Sequence, residues 1–565
     1  MTQYFSAKRQ FATLLCTTLS ASLLLTACGD NDDNNDKHSN SNATNNTASE
    51  VKLLTDPVVT QTFTATQLAE AIANAGLSQA VPKAPVCGVT VEYINHTTTG
   101  LKGEATNATG ALMIPTGEDP KCQGARPISL YAHGTTTEKN YNLAALNDNK
   151  NPAYKTALLL AATTAAQGDI VIASNYPGYD ASKLDYAPYV TKQQGKQTVD
   201  SLTAGKLALK KLAENTDAPT YVTPSDKLFV SGYSQGGYVA LATAQALDHQ
   251  GTPITAVSPG SGPYALAAFA DTIVNGNVNI GGTAFLPLLV DSYEAEYGGI
   301  QQGIYADKYA KIVPSLLPAD VPFEQLVAEQ KLPLSQLFSA NPNVPELDKI
   351  SPPSPRFSFG FGDNYLVSTD YRANYVKDMR ANPDGLYPDL TALPFAALNP
   401  QQPLRKALKE NDLRPYVPQA PTLLCGGNQD PIVFFDVNST SLASIWKNDK
   451  TINVTFALLD IDTSNEIERA KAGRQTYIST LPTMVNSAVE TVAKPLQRQF
   501  SQQLNMIKTN TYTVAYTTAL QGGASQEQAN AQATQAATFA VFSQYHSIVM
   551  PYCLAASQTF FDQYR

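Results

Sequence analysis

The sequence predicts an α/β fold, a mostly parallel central sheet flanked by helices, with an inserted cap and a later helical insertion. Three observations carry this expectation. Near-continuous apolar runs at 127–132 and 169–174 have the character of strands covered on both faces. Helical stretches alternate with them. The block 227–242 then reads as an apolar strand, a Gly232-Tyr233-Ser234-Gln235-Gly236 turn and a small-residue helix. Alternation of this kind builds a parallel sheet with right-handed crossovers.

The amino terminus comes before that sheet. Lys8 and Arg9 precede an apolar stretch over 11–25, the charged and apolar regions of a secretory signal. The run is short and carries threonines and serines, which argues against a membrane-spanning helix. It ends at Leu25-Thr26-Ala27-Cys28, so 1–27 is expected to be a signal peptide. Residues 28–60 begin Cys28-Gly29-Asp30-Asn31 and hold too few apolar groups to offset chain entropy, so a flexible tether is expected there.

The core is expected in two parts. The first covers 61–265. Residues 86–94 alternate as a half-buried strand, and 111–115 form a second. After the apolar run at 127–132, the alanine- and leucine-rich 155–167 reads as a helix. Val199, Leu202, Leu209 and Leu212 recur at helical spacing before the Ser234 strand, and 254–258 is a further strand. From 266 to 417 proline, aromatics and short apolar clusters break the alternation, as expected of a cap or lid. Strands return at 421–426 and 454–459, opening a second core part over 418–565. Within it, 463–540 is expected to be a helical insertion. Thr463 with Glu466 and Ser525 with Gln528 have capping-box spacing, and Leu496, Phe500, Leu504 and Ile507 share one helical face.

Composition narrows the function classes. At 565 residues the chain is long enough for one enlarged domain or two. A formal charge of −9 without a long basic run argues against nucleic acid as a partner. Charged residues are only 15%, and much of the polarity is uncharged, which fits an exported protein. Apart from Cys16 and Cys28, four cysteines remain: Cys87, Cys122, Cys425 and Cys553. An even number in an exported chain suggests two disulfides, with three pairings open. The preferred one joins Cys87 to Cys122 and Cys425 to Cys553. None of the four lies within a few residues of another, so no metal site is implied.

A serine hydroxyl attacks a carbonyl only when a base takes its proton, and that base needs an orienting carboxylate. The chain has five histidines, so elimination is informative. His38 is in the tether, His96 follows an early strand and is separated from Ser234 by much of the sheet, His133 directly follows a core strand, and His249 ends the helix after Ser234. His546 is left as the candidate base. Asp430 lies just beyond the strand at 421–426, at the sheet end where ligands bind. Asp436, Asp460 and Asp462 compete with it as possible caps or loop residues. The oxyanion formed on attack needs two backbone N–H groups. Gln235 supplies one candidate, and Gly134 or Thr135, in the loop His133-Gly134-Thr135, supplies the other.

The set His133-Gly134-Thr135, Asn175-Tyr176-Pro177-Gly178-Tyr179, Gly232-Tyr233-Ser234-Gln235-Gly236, Gly427-Asn428-Gln429-Asp430 and His546 resembles the α/β-hydrolase superfamily. Within it, the chain is most similar to secreted bacterial and fungal lipases and esterases with large caps. The resemblance covers 86–264, 421–460 and the His546 segment. It implies carboxylic ester hydrolysis by Ser234, His546 and Asp430, an ester or lipid substrate, and no metal or organic cofactor. A serine peptidase or acyltransferase on the same fold is the alternative, followed by a non-catalytic surface binding protein. One departure is plain: the superfamily usually places its histidine soon after the last strand, and here a long segment intervenes. Residues 25–28 resemble the lipobox of bacterial lipoproteins. That resemblance implies lipidation of Cys28 and membrane attachment in the cell envelope, facing the periplasm or the cell surface, without a spanning helix.

Overall fold

A computed structural model describes residues 50–565 apart from 215–221, 349, 351–354, 391–394, 450 and 452–453. The expected signal peptide, Cys28 and the tether up to residue 49 lie outside the described residues. The chain opens with β1 (Val58–Phe63) and α1 (Ala65–Asn74), then β2 (Gly88–Thr99) and β3 (Ala105–Thr116). Alternation follows through β4 (Gly124–Ala132), α2 (Tyr154–Thr163), β5 (Ile170–Ser174), α3 (Lys192–Ala213), β6 (Val222–Tyr233), α4 (Gln235–His249) and β7 (Ala256–Gly260). Then come α5 (Leu266–Val274), α6 (Gly282–Tyr297), α7 (Phe323–Ala328), β8 (Phe338–Ser339), β9 (Phe361–Gly362), α8 (Thr369–Ala381) and α9 (Pro403–Asn411). The strands β10 (Thr422–Gly426) and β11 (Phe456–Asp460) flank α10 (Ser441–Asn448). The chain ends with α11 (Glu466–Lys471), β12 (Tyr477–Ser479), α12 (Thr483–Gln521) and α13 (Gln526–Asp562).

Ten strands form one sheet in the order β1-β2-β3-β5-β4-β6-β7-β10-β11-β12. From β5 across to β11 every neighbouring pair is parallel, as the apolar runs predict. The first three strands pair antiparallel, and β12 closes the far edge antiparallel. The chain passes from β4 to β5 on one side and to β6 on the other. The ends of β4 and β6 therefore flank a switch point, where a crevice opens beyond the strands. Because β7 pairs directly with β10, the segment carrying α5 to α9 is an excursion from the sheet.

Alternation along the parallel strands fills two cores. On one face, Phe229, Leu423, Cys425, Ala457 and Leu459 pack against α12 and α13 through Val489, Phe500, Val549, Tyr552 and Phe561. On the other, Val230, Val257, Leu424 and Leu458 join the cluster that contains Val239 and Leu247 of α4. Both preferred disulfides are present, Cys87–Cys122 and Cys425–Cys553, and they fit folding in an oxidising compartment.

Three expectations need correction. The tether does not extend to 60, since Leu53 bridges to His96 and β1 pairs along β2. The backbone donors there are satisfied by a sheet edge that local composition does not reveal. Thr463 caps no helix: α11 starts at Glu466 behind Asn465, with no side-chain cap, whereas the Ser525–Gln528 box is formed. The insertion at 463–540 is also not purely helical. It contributes the edge strand β12, and its last helix continues unbroken past residue 540 to Asp562.

The excursion is pinned by buried charge. Arg414, fully buried, makes paired contacts to Asp384 (2.8 and 3.0 Å) and Asp412 (2.8 Å each). Arg405 likewise holds Asp271 (3.0 and 2.8 Å) and Asp378 (2.8 Å), joining α5, α8 and α9. Arg414→Met would strand two buried carboxylates and is expected to lower unfolding free energy by about 3–5 kcal/mol in urea titrations. Lys83→Ala, which removes the exposed pair with Asp562, is expected to cost no more than about 1 kcal/mol in the same assay.

Candidate active site

Ser234 sits where β6 hands over to α4, with φ 62° and ψ −127°, a conformation that L-residues rarely hold. Hydrogen bonds fix it there. Its N–H donates to the Gly260 carbonyl at 3.0 Å, and its own carbonyl accepts from Gly237 and Tyr238 at 2.8 and 3.3 Å. The glycines of the turn are required by close backbone approach. A Cβ on Gly236 would lie 2.0 Å from the Ala132 oxygen, and one on Gly232 would lie 2.1 Å from the Gly236 oxygen. The turn is thus wedged against the end of β4, which brings the loop after β4 beside Ser234. A Cβ at Gly134 would stand 3.5 Å from the serine Cβ.

Asp430 follows β10 through a turn closed by its own N–H to the Gly427 carbonyl at 3.1 Å. Its Oδ1 accepts the N–H groups of Ile432 (2.8 Å) and Val433 (3.1 Å), which fixes the carboxylate. Its Oδ2 faces His546 Nδ1 at 2.5 Å. The carboxylate is 2% exposed and the histidine 7%. His546 lies within α13, and the Tyr233 hydroxyl donates to its carbonyl at 2.7 Å, tying it to the residue before Ser234. The Tyr233 and His546 rings are 4.9 Å apart. The other ring nitrogen, Nε2, is buried and has no hydrogen-bond partner among the described residues.

The competing acids do different work. Asp436 is engaged by Arg469 and Arg474, at 2.9 and 2.6 Å. Asp460, pushed up to about 8 chiefly by burial, accepts from the N–H and side-chain amide of Asn428 at 3.1 and 2.8 Å. Asp462 accepts from Gln429 Nε2 (2.9 Å) and the Tyr545 hydroxyl (2.6 Å). Asp460 and Asp462 together brace the 427–429 turn that presents Asp430. Gly427 is needed there, since a Cβ would meet the Tyr545 hydroxyl at 2.6 Å. The Cys425–Cys553 bridge ties the strand before Asp430 to the helix that carries His546.

Sequence reasoning missed the supports of the loop after β4. The Tyr176 hydroxyl donates to the His133 carbonyl at 2.9 Å, and that of Tyr179 to the Thr136 carbonyl at 3.0 Å. Their recurrence in Asn175-Tyr176-Pro177-Gly178-Tyr179 is a signal only once that segment is known to lie beneath the loop. His133 is stacked between Tyr141 and Tyr176, and burial lowers its pKa to about 4, so it stays neutral and structural. His96 is equally enclosed, held at 3.1 Å from Ser201. His249 ends α4, as the sequence predicts.

A cavity opens beside Ser234. Thr135 and Gln235 line its polar end, and Leu266, Phe269, Phe285, Leu289, Leu404 and Leu408 are among the apolar residues lining the rest. Gln235 is the first residue of α4, so its N–H lies at the helix end where no intrahelical acceptor exists. Among the described residues no group of three or more His, Cys, Asp or Glu could hold a metal ion. Among them, too, no helix is long and apolar enough to cross a membrane.

No family model matches the sequence, and no curated protein sequence matches it either. Solved structures do. The rice cell wall degrading esterase LipA from Xanthomonas oryzae is 25% identical with a TM-score of 0.55, over 74% of this chain and 92% of that one. A protein from Legionella pneumophila is 20% identical with a TM-score of 0.51, over 71% of this chain and 90% of that one. The fold is that of an α/β-hydrolase. The departure from the usual α/β-hydrolase spacing has a structural cause: β12 and the α12–α13 hairpin intervene before the chain returns His546 to Asp430.

Asp430→Asn keeps the shape of the site but removes the charge facing Nδ1. It is expected to lower kcat on an ester about 10⁴-fold with little change in melting temperature. Asp436→Asn is expected to act on melting temperature rather than kcat, measured in the same preparations.

Proposed function

We propose that this carboxylic ester hydrolase works through Ser234, His546 and Asp430 and an acyl-enzyme intermediate. The observation that carries the reading is the division of labour on His546. Nδ1 is held against a buried carboxylate and so carries the proton, which leaves the unpartnered Nε2 as the basic nitrogen. His546 takes the proton of Ser234 as its oxygen attacks the ester carbonyl, and returns it to the departing alcohol. Water, deprotonated in the same way, then releases the acid. Asp430 stabilises the imidazolium in both halves. The N–H groups of Gln235 and of Thr135 or Gly134 receive the oxyanion.

The apolar cavity takes the acyl chain, and segment 266–417 acts as the cap that walls it through α5, α6 and α9. An acyl chain suits this lining better than a peptide, whose backbone groups would find few partners there. Wild-type protein is expected to cleave p-nitrophenyl acyl esters and to leave peptide anilides intact. Ser234→Ala is expected to lose at least about 10⁴-fold in ester kcat. Faster anilide cleavage, or ester turnover surviving in Ser234→Ala, overturns the reading.

At the amino terminus we read Cys28 as the lipid-bearing residue of an envelope lipoprotein. The Leu25–Cys28 sequence supports this, and the two disulfides fit the compartment. Expressed in a bacterium and fed radiolabelled palmitate, the wild type is expected to incorporate label and to fractionate with membranes. Cys28→Ser is expected to do neither.

A further inference from the structure

Arg372, Arg405 and Arg414 are all buried in the excursion, and Arg372 lacks what the other two have. Arg405 and Arg414 each grip two aspartates. Arg372, on α8, is 3% exposed, and no carboxylate lies within ion-pair distance of it among the described residues. Its Nε and Nη2 both donate to the Val274 carbonyl, at 3.2 and 3.0 Å. Nη1 has no hydrogen-bond partner among the described residues. The guanidinium lies 4.1 Å from the ring centroid of Phe338 and 5.3 Å from that of Phe361. Burial lowers its pKa to about 10, whereas their aspartates hold Arg405 and Arg414 above the ordinary value. A carbonyl at the end of α5 offsets only part of a full charge.

The cavity beside Ser234 also reaches this arginine, since both residues line it. Helix α5 runs between them. Leu266, Phe269, Ile273 and Val274 line the cavity along one side of that helix. The Leu266 end follows β7, whose Gly260 carbonyl holds the Ser234 N–H. The Val274 end holds Arg372. From Leu266 to Val274 the helix rises about 12 Å, so the cation stands at the far end of the cavity.

We propose that Arg372 closes the acyl subsite and pairs with a carboxylate at the far end of the acyl chain, so that the substrates are monoesters of dicarboxylic acids. Water adds across the ester bond, and the products are an alcohol and a dicarboxylic acid. Three physical points favour this. The cation is already stripped of water by the fold, so an arriving carboxylate gives up only its own hydration and gains a strong pairing in apolar surroundings. The Nη1–Nη2 edge, free of the Val274 contact on its Nη1 side, offers the planar fork that matches two carboxylate oxygens. The rings of Phe338 and Phe361 fix the plane of that fork beforehand. The inference rests on the Ser234–His546 reading above and adds the chemical class of the acyl group.

The test uses mono-p-nitrophenyl esters of adipic, suberic, sebacic and dodecanedioic acids. Each is compared with its ω-methyl ester and with a chain of the same length ending in trimethylammonium. In wild type, kcat/KM is expected to rank the anion above the neutral ester and the cation last, once the chain is long enough to reach Arg372. An apolar cavity without a usable charge would rank the neutral ester first and disfavour both charges alike. Arg372→Met is expected to lower the ratio of kcat/KM, anionic over neutral, at least about tenfold, mainly through KM. Arg372→Lys keeps the charge without the fork and is expected to recover part of it. An arginine that only caps α5 would move both esters together and leave the ratio unchanged. A wild type that favours the neutral ester at every length, or a ratio unchanged in Arg372→Met, overturns the proposal while leaving ester hydrolysis standing. Should Arg372→Met fail to fold, the wild-type ranking by charge decides. If no ester in the set is cleaved by wild type, the reading of Ser234 falls and this one falls with it.

Discussion

Everything at the site depends on a buried carboxylate meeting a buried imidazole. Asp430 and His546 face each other at 2.5 Å in a place nearly closed to water. An isolated carboxylate there would be strongly disfavoured, because burial removes its hydration. Two backbone N–H groups on Oδ1 and the imidazole on Oδ2 replace that hydration. The contact also dictates the path of the chain. α13 must approach β10 closely enough that residue 427 has to be glycine, and the disulfide from Cys425 to Cys553 holds the two elements in that register. The Tyr233 hydroxyl then locks the same helix turn to the strand that ends at Ser234.

Much of this could be read from the chain. Parallel strands buried on both faces leave continuous apolar runs, so β4, β5, β6, β10 and β11 were legible to within a few residues. Ser234 was legible because its strained turn admits only glycine where backbones touch. Asp430 and His546, which the structure brings into contact, stand out as candidates from their order and from the small number of histidines. Other features left weak signals. β12 is three residues long and gains its meaning only from pairing with β11. The unbroken run of α13 was hidden because its sequence is rich in alanine, glutamine and threonine, with little contrast between faces. The supports from Tyr176 and Tyr179 connect residues far apart in sequence, which no local pattern can report.

The excursion obeys a different rule from the core. It is short of regular structure, and it relies on Arg405 and Arg414 gripping four buried aspartates. Such pairs gain little over apolar packing but are costly to break, so they fix geometry more than they add stability. Here that geometry shapes the cavity beside Ser234. Tyr375, which donates to Asp271 at 2.9 Å, lines it, as do Leu404 and Leu408 of the helix that carries Arg405. Ser234 and Asp430 follow the ends of the interior strands β6 and β10, and His546 comes from α13. The cavity beside Ser234 is walled largely by a segment whose sequence is the least regular in the chain.

The central claim is that α13 delivers the base to a serine held by the β6–α4 turn. The most direct measurement is the rate of covalent modification by a fluorophosphonate, followed by intact mass and with the adduct mapped by digestion. One adduct per chain is expected, on Ser234. Its rate of formation should fall at least about a thousandfold in His546→Ala while the protein stays folded. An adduct at another residue, or an undiminished rate in His546→Ala, would contradict the account.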